Sequence, residues 1–449
     1  MMNYKFVLLT IILSASCIIS TGITLNAKTI EQKLTAFDSS PFDKFGESVA
    51  ISDKFVIIGT SHDSYLAEEP SDYTGVLEDA GSVYIYQLNG NAWEFQQKLI
   101  PDHPKPDMCF GRSVAIDNDY LAVGAYQENA DEMSPSDAYE LTQSGAAYIF
   151  KYNGTTWVQE ARLIPNDPED DDEFGFSISI SGNYVIVGSN NVKPNASAYI
   201  FKNNQGSWTQ HWRMTTDYDE TNYTFARFGY SVSISGDYAC VGADQEPYTN
   251  EFHSGSAYIF KREGETWVQE KKLIDKNANY KDAFGKSVSI SENYVLVGAP
   301  SHDGCGKTSG MAFYSIKDET GWSDPIKLSG GDGHVAGIRF GVSVSITDNV
   351  AIIGASSAEA IFTYVINDGT FIKTSILHAH DGLDGDSFGA CVAMRNERII
   401  VGVPNMHYLS KNGGAYIFTI TDYLNGDIND NKVIDIMDAV LLLKNLSTD

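Results

Sequence analysis

Apolar and polar positions along this chain alternate in short bursts separated by turn residues. The stretch 174–180 (Phe-Gly-Phe-Ser-Ile-Ser-Ile) has a period of two and predicts a half-buried strand. Ser181-Gly182-Asn183 follows as a tight turn, because Gly and Asn tolerate positive φ. A nearly all-apolar strand is predicted over 184–188, a third over 197–202 and a fourth over 207–214. The same order returns at 284–290, 294–299, 311–316 and 322–328.

The unit repeats throughout. A Phe-Gly pair opens it at Phe45, Phe110, Phe174, Phe228, Phe284, Phe340 and Phe388. After it come a Ser-Val-Ser-Ile-like run, a turn, a run ending in Val-Gly-Ala, a variable stretch, Gly-Ser-Ala-Tyr-Ile-Phe and then usually Trp and Lys-Leu. Four short strands repeated seven times predict an all-β, seven-bladed β-propeller of four-stranded antiparallel blades. Trp93, Trp157, Trp208, Trp267 and Trp322 fall at the start of the fourth strand, where they are expected to pack blade against blade. The sixth repeat is the most degenerate, lacking Gly-Ser-Ala-Tyr near its third strand at 360–365.

The seventh repeat stops after Gly414-Ala415-Tyr416-Ile417-Phe418, without its fourth strand. Glu31-Gln32-Lys33-Leu34 precedes the first Phe-Gly as Gln97-Lys98-Leu99 precedes the second. The N-terminal strand is therefore expected to complete the last blade and close the ring, leaving no open edge there. The expected layout is a signal peptide over 1–27, the propeller over 28–421 and a short tail over 422–449.

Phe-Gly-x-Ser-Val followed by Val-Gly-Ala-Pro at 284–300 resembles the FG-GAP repeat of integrin α-subunit propellers and their bacterial relatives. Repeats of that kind carry an Asp-x-Asp-x-Asp-Gly calcium loop between the first two strands. Here that place holds short turns such as Ser181-Gly182-Asn183 and Ser235-Gly236-Asp237, so the family's propeller calcium is not carried over.

Lys5 before the apolar run 6–23, with Ala27 as a small residue near a cut, reads as a secretory signal. The implied location is secreted or cell-surface, with no membrane insertion after cleavage. Cys109, Cys240, Cys305 and Cys391 occupy unmatched places in the repeat, so no disulfide framework is expected. A formal net charge of −28 argues against nucleic acid as a partner. Much of that charge lies in the long loops at 68–79, 128–140, 167–173 and 381–386, which a four-strand meander places on one face. Two readings follow: solvated surface loops, or a negatively charged ligand face for a protein or glycan.

The last 25 residues change character. Asp427, Asn429, Asn431, Val433 (through its carbonyl), Asp435 and Asp438 stand at positions 1, 3, 5, 7, 9 and 12 of an EF-hand-like loop, and an apolar helix is expected over 439–446. Calcium is the expected ion. Lys432 replaces the usual Gly at position 6, and Asp438 replaces the usual Glu at position 12. Gly426 and the following apolar helix make the tail resemble one repeat of a dockerin, which implies a cohesin-like partner, although a dockerin has two repeats.

No nucleophile elbow, His-Glu-x-x-His or phosphate loop is present. His378, His380 and Asp381 are read as a surface loop before the last blade. The expectation is a secreted, non-enzymatic binding or adhesion propeller with no assigned catalytic residue. The alternative is a polysaccharide-active enzyme, glycosidase or lyase, which convergence of three or more carboxylate, His, Tyr or Arg side chains in a central pocket would favour.

Overall fold

The alternating segments do form strands, and the Phe-Gly pairs set where they begin. The computed structural model describes residues 29–66, 75–129, 142–191, 196–215, 226–247, 253–303, 309–328, 330, 337–404 and 412–420. Within them lie seven antiparallel blade sheets, each with its strands in sequence order from centre to rim, apart from the closing strand of the seventh, and a two-stranded ribbon of Tyr65–Leu66 and Val76–Leu77 in a loop of the first blade. Blade 1, for example, is Ser48–Ile51, Phe55–Thr60, Ser82–Asn89 and Ala92–Leu99. The seventh is Cys391–Arg395, Arg398–Val403 and Gly414–Ile420, with Thr29–Leu34 as its outermost strand. The N-terminal strand thus closes the ring as expected. Glu31–Ile417 forms one compact unit.

Two strand predictions are corrected. In blades 3 and 5 the inner strand begins at Ser177 and Ser287, after the Phe-Gly pair. Gly175 and Gly285 sit at φ of 95° and 88°, where the chain kinks and a side chain would be strained. The fourth strand of blade 5 is split into Gly321–Trp322 and Ile326–Leu328. Pro325 lies in the gap, and it has no N–H to give to the ladder.

The repeated letters each have a mechanical task. The seven Phe rings are buried, each meeting an aromatic ring on the third strand of its own blade. Phe45–Tyr84, Phe174–Tyr199 and Phe284–Phe313 are edge-on at centroid distances of 5.3, 5.6 and 5.0 Å. The Ser two residues after each Gly hydrogen-bonds to the Phe-Gly glycine carbonyl of the next blade. Ser48 donates to Gly111 at 2.7 Å, Ser113 to Gly175 at 2.8 Å and Ser343 to Gly389 at 2.7 Å. The seventh link is a thiol, Cys391 donating to the Gly46 carbonyl at 3.0 Å.

The Trp residues pack between blades as expected. Trp157 of blade 2 meets Phe55 of blade 1 at 5.2 Å, Trp208 meets Tyr120 at 5.5 Å, and Trp322 meets Tyr238 at 5.6 Å. In the degenerate sixth blade Phe371 takes this place against Tyr294, at 5.9 Å.

Sequence-matched departures are also compensated. The N–H groups of Phe110, Phe174, Phe284 and Phe340 each donate to a backbone carbonyl just before the third strand of the preceding blade. Blade 6 lacks the Gly of that motif, and Glu359 stands there in the left-handed conformation (φ 50°). Its carboxylate accepts instead from the N–H groups of Gly385, Ser387 and Phe388, at 3.2, 3.0 and 2.6 Å.

Candidate functional site: the mouth of the central channel

The inner strands start at the end of the ring that also carries the long loops. There they surround a cavity of about 660 Å³, a size suited to a small ligand or the end group of a larger one. The residue between Phe-Gly and Ser lines this cavity in every blade. Its identities are Glu47, Arg112, Phe176, Tyr230, Lys286, Val342 and Ala390. Two residues further along, a Val or Ile from each blade also lines it. The backbone frame is therefore nearly uniform, whereas the side chains it presents differ from blade to blade.

Four of these side chains form a continuous arc. The Arg112 guanidinium lies over the Phe176 ring, 4.2 Å from its centroid. Phe176 and Tyr230 are 5.0 Å apart. Lys286 and Arg227 both approach Tyr230, at 3.8 and 4.2 Å from its centroid. The opposite wall is made of the small Val342 and Ala390 and of Glu47. Burial alone would raise the Glu47 carboxyl, but Arg112, Lys44 and a hydrogen bond from Ser61 overcome it and hold the group below its usual range.

The convergence criterion for an enzyme is met in number, since Glu47, Arg112, Tyr230, Arg339 and Glu359 all line the cavity. Their contacts are of another kind. Glu47 is bound by Ser61, Glu359 by three backbone N–H groups, and Tyr230 is flanked by cations. Ser61, which donates to Glu47, also lies 2.7 Å from His62 Nδ1, so a hydroxyl–imidazole–carboxylate contact borders the cavity; Ser61 itself is buried and does not line it.

Several loop carboxylates turn inward. Asp63, Glu128, Glu246 and Asp275 are buried and pair with Lys98, Arg162, Lys272 and Lys327 from the outer strands, at 2.6 to 3.0 Å. Asp275 also bonds to the buried His302; although burial opposes it, that hydrogen bond and Lys327 bring its carboxyl down to about 2. These groups brace the blades, so only part of the acidity expected on the long-loop face is presented to solvent.

His380 and Asp381 lie in the surface loop before blade 7, where the sequence places them. His380 Nδ1 is 2.7 Å from Glu31, while Asp381 accepts from Lys33 at 2.8 Å and from Tyr416 at 2.6 Å. Glu31, His380 and Asp381 come close enough together to suggest a metal cluster. The Lys33 ammonium already answers Asp381, however, and the group reads better as a clasp on the closing strand. Asp427, Asn429, Asn431, Val433, Asp435 and Asp438 lie outside the described residues, as does the signal segment. Among the described residues no helix is long and apolar enough to cross a membrane.

The channel-lining position was missed in the sequence reading. Its signal was available: between the uniform Phe-Gly and Ser, one position varies without regard to size or charge.

Solved structures with the same ring are distant in sequence. A structure of U3-55K is 9% identical, with a TM-score of 0.53, covering 86% of this chain and 98% of that one. The WD40 repeats of RRP9 are 10% identical, also at 0.53, covering 86% and 96%. These likenesses concern the fold alone. No curated protein matches. The family model of the FG-GAP repeat matches 29–86, 93–150, 157–201, 216–260, 267–314 and 371–418, passing over the sixth blade's inner strands. These segments make up more than half of the protein, and the chain belongs to the FG-GAP repeat family.

Proposed function

We propose that this protein is an exported binding propeller that receives its ligand at the channel mouth on the long-loop face. One contrast carries the reading. Phe, Gly and Ser recur because they build the frame, while the residue between them is free to vary and supplies the cavity wall. A frame that holds seven interchangeable side chains around one recess suits recognition. Membership of the FG-GAP family supports a binding role in general terms. In this proposal the ligand is a protein or a glycan, and the protein is secreted or displayed at the cell surface. The tail binds one calcium ion through Asp427, Asn429, Asn431, Val433, Asp435 and Asp438 and attaches the propeller to a cohesin-like partner.

The test is a glycan and protein array probed with the purified protein and with Ala390→Trp, which fills the recess. A ligand bound by the wild type and lost by the variant is the expected result. A ligand bound equally by both would place recognition elsewhere.

A second reading, a polysaccharide-active enzyme, is favoured by the meeting of Glu47, Tyr230 and Glu359 at one cavity. Turnover on a glycan panel, abolished by Glu47→Gln, would establish it in place of the first.

A further inference from the structure

We propose that the channel mouth binds a carboxylate-bearing ligand and that Arg112 is its anchor. The inference rests on the reading of the cavity as the ligand site. It begins from how the cations there are held. Arg112 lies on Phe176 rather than against a carboxylate, and among the described residues its guanidinium has no hydrogen-bond or ion-pair partner. Glu47, in the neighbouring blade 1, feels the Arg112 charge but takes Lys44 at 3.7 Å and Ser61 as its direct partners. An Arg held flat on an aromatic ring keeps its charge and its planar fork of N–H donors, which match the two oxygens of a carboxylate.

The far end of the arc differs. Lys286 and Arg227 both face the buried Asp244, at 3.2 and 3.6 Å. Glu173, joined to Arg227 through Asn190, balances the second of these cations, so the free donors of the arc are those of Arg112. Arg339 also lines the cavity, exposed and without an ion-pair partner among the described residues. Against this stand Glu47, Glu173 and Glu359, each already hydrogen-bonded. The recess is thus near charge balance in a chain of formal net charge −28, and what it keeps free among the described residues is the guanidinium forks of Arg112 and Arg339.

That setting selects the kind of ligand. An extended polyanion is repelled by the whole molecule before it reaches the recess. A single carboxylate on a small molecule, or on the end residue of a chain, enters at less cost and meets Arg112. The Phe176 and Tyr230 faces carry their cations and are not open platforms for an uncharged ring. Recognition therefore depends on charge and on the fork geometry.

The experiment is calorimetric titration of the full protein with propionate and with D-galacturonate, beside the neutral propionamide and D-galactose. Binding by either acid and not by its neutral counterpart is expected; the pair of acids tells a simple organic acid from an acidic sugar. Arg112→Met keeps an apolar stem on Phe176 and should weaken binding by about tenfold or more, with only a small drop in melting from the lost attraction to Glu47. Arg112→Lys, which keeps the charge and loses the fork, should fall between. Glu47→Gln should tighten binding, a change of sign that a purely structural role for this pair does not give. Equal binding by Arg112→Met, or no binding of either acid, overturns the inference. A neutral array ligand that Ala390→Trp abolishes and Arg112→Met leaves intact would overturn it while sparing the proposed function.

Discussion

Gly124 gives the most direct test of how the blades are joined. It is the last residue but one of the second strand of blade 2 and faces the Phe-Gly turn of blade 3. A Cβ there would lie 2.9 Å from the carbonyl carbon of Gly175 and well inside the radius of its oxygen. Ordinary carbon contacts need about 3.5 Å, so the carbonyl carbon alone asks the blades to part by roughly 0.6 Å, and the nearer oxygen asks for more. The Gly175 atoms are backbone with no rotamer to change, and the third neighbour, the Ser113 hydroxyl, can turn away only by giving up its bond to the Gly175 carbonyl. Overpacking of this kind costs about 1–3 kcal/mol. Parting the blades also stretches the Ser113–Gly175 hydrogen bond, and a buried carbonyl left unpaired costs about 1–3 kcal/mol more. The backbone at Gly124 is not in the left-handed region, so Ala should gain about 0.4–1 kcal/mol from the stiffer unfolded chain. The net expectation for Gly124→Ala is a loss of about 1–5 kcal/mol, centred on about 3. Gly182→Ala is the control: it has open space around it but a φ of 57°, and should cost about 1 kcal/mol. Chemical unfolding followed by circular dichroism compares the two. If Gly124→Ala is no less stable than Gly182→Ala, close blade contact is not what the glycine serves.

Removing the closing strand by starting the chain at Phe42 should lower the melting temperature of the whole ring, because Gln32 exchanges two hydrogen bonds with the Trp93 backbone and Leu34 is buried; an unchanged melt would refute closure by this strand. Trp157→Ala should cost about 3–5 kcal/mol in chemical unfolding, as a buried ring between blades 1 and 2 is lost, and a loss below 1 kcal/mol would show that the interface collapses around the gap. The hydrogen bond and charge of Glu31 raise the exposed His380 above 6.5, so the clasp contributes fully below pH 6.5 and fades as pH rises through the folded value; proton NMR titration should show this raised value falling in Glu31→Gln, and identical titrations would remove the clasp. For the proposed tail site, calorimetry should show calcium uptake near the about 10⁻⁴–10⁻³ M range of extracellular modules, lost in Asp427→Ala, Asp438→Ala; equal uptake by both would move the ion elsewhere.

The frame was legible in the sequence because its constraints are local and repeated. The Phe174 and Phe284 repeats alternate with period two, and Tyr184–Gly188 and Tyr294–Ala299 lie where the pattern puts them. Ring closure was legible because Gln32 and Gln97 stand in matching contexts, and both clasp a Trp backbone in the next blade. The split at Pro325 was visible in principle, but the Trp322 match to other repeats outweighed one residue. The site was much harder to read. Arg112, Phe176, Tyr230 and Lys286 lie 54 to 64 residues apart, and nothing in any one repeat says that they touch. Their meeting is a property of the closed ring. The inward turn of Asp63, Glu128 and Asp275 was hidden for a similar reason, since their partner cations lie strands away.

The family segments and the sheets are out of step by one strand. The segment 93–150, for instance, opens with the rim strand of blade 1 and continues through the inner three strands of blade 2. Each genetic unit is thereby a staple through two neighbouring sheets, and no sheet is encoded by one unit alone. Gain or loss of such a unit would change the number of blades while leaving every sheet with four strands, since Thr29–Leu34 still supplies what Gly414–Ile420 lacks. The diameter of the recess, set by how many staples complete the circle, is thus open to change by duplication without any new joint having to be invented.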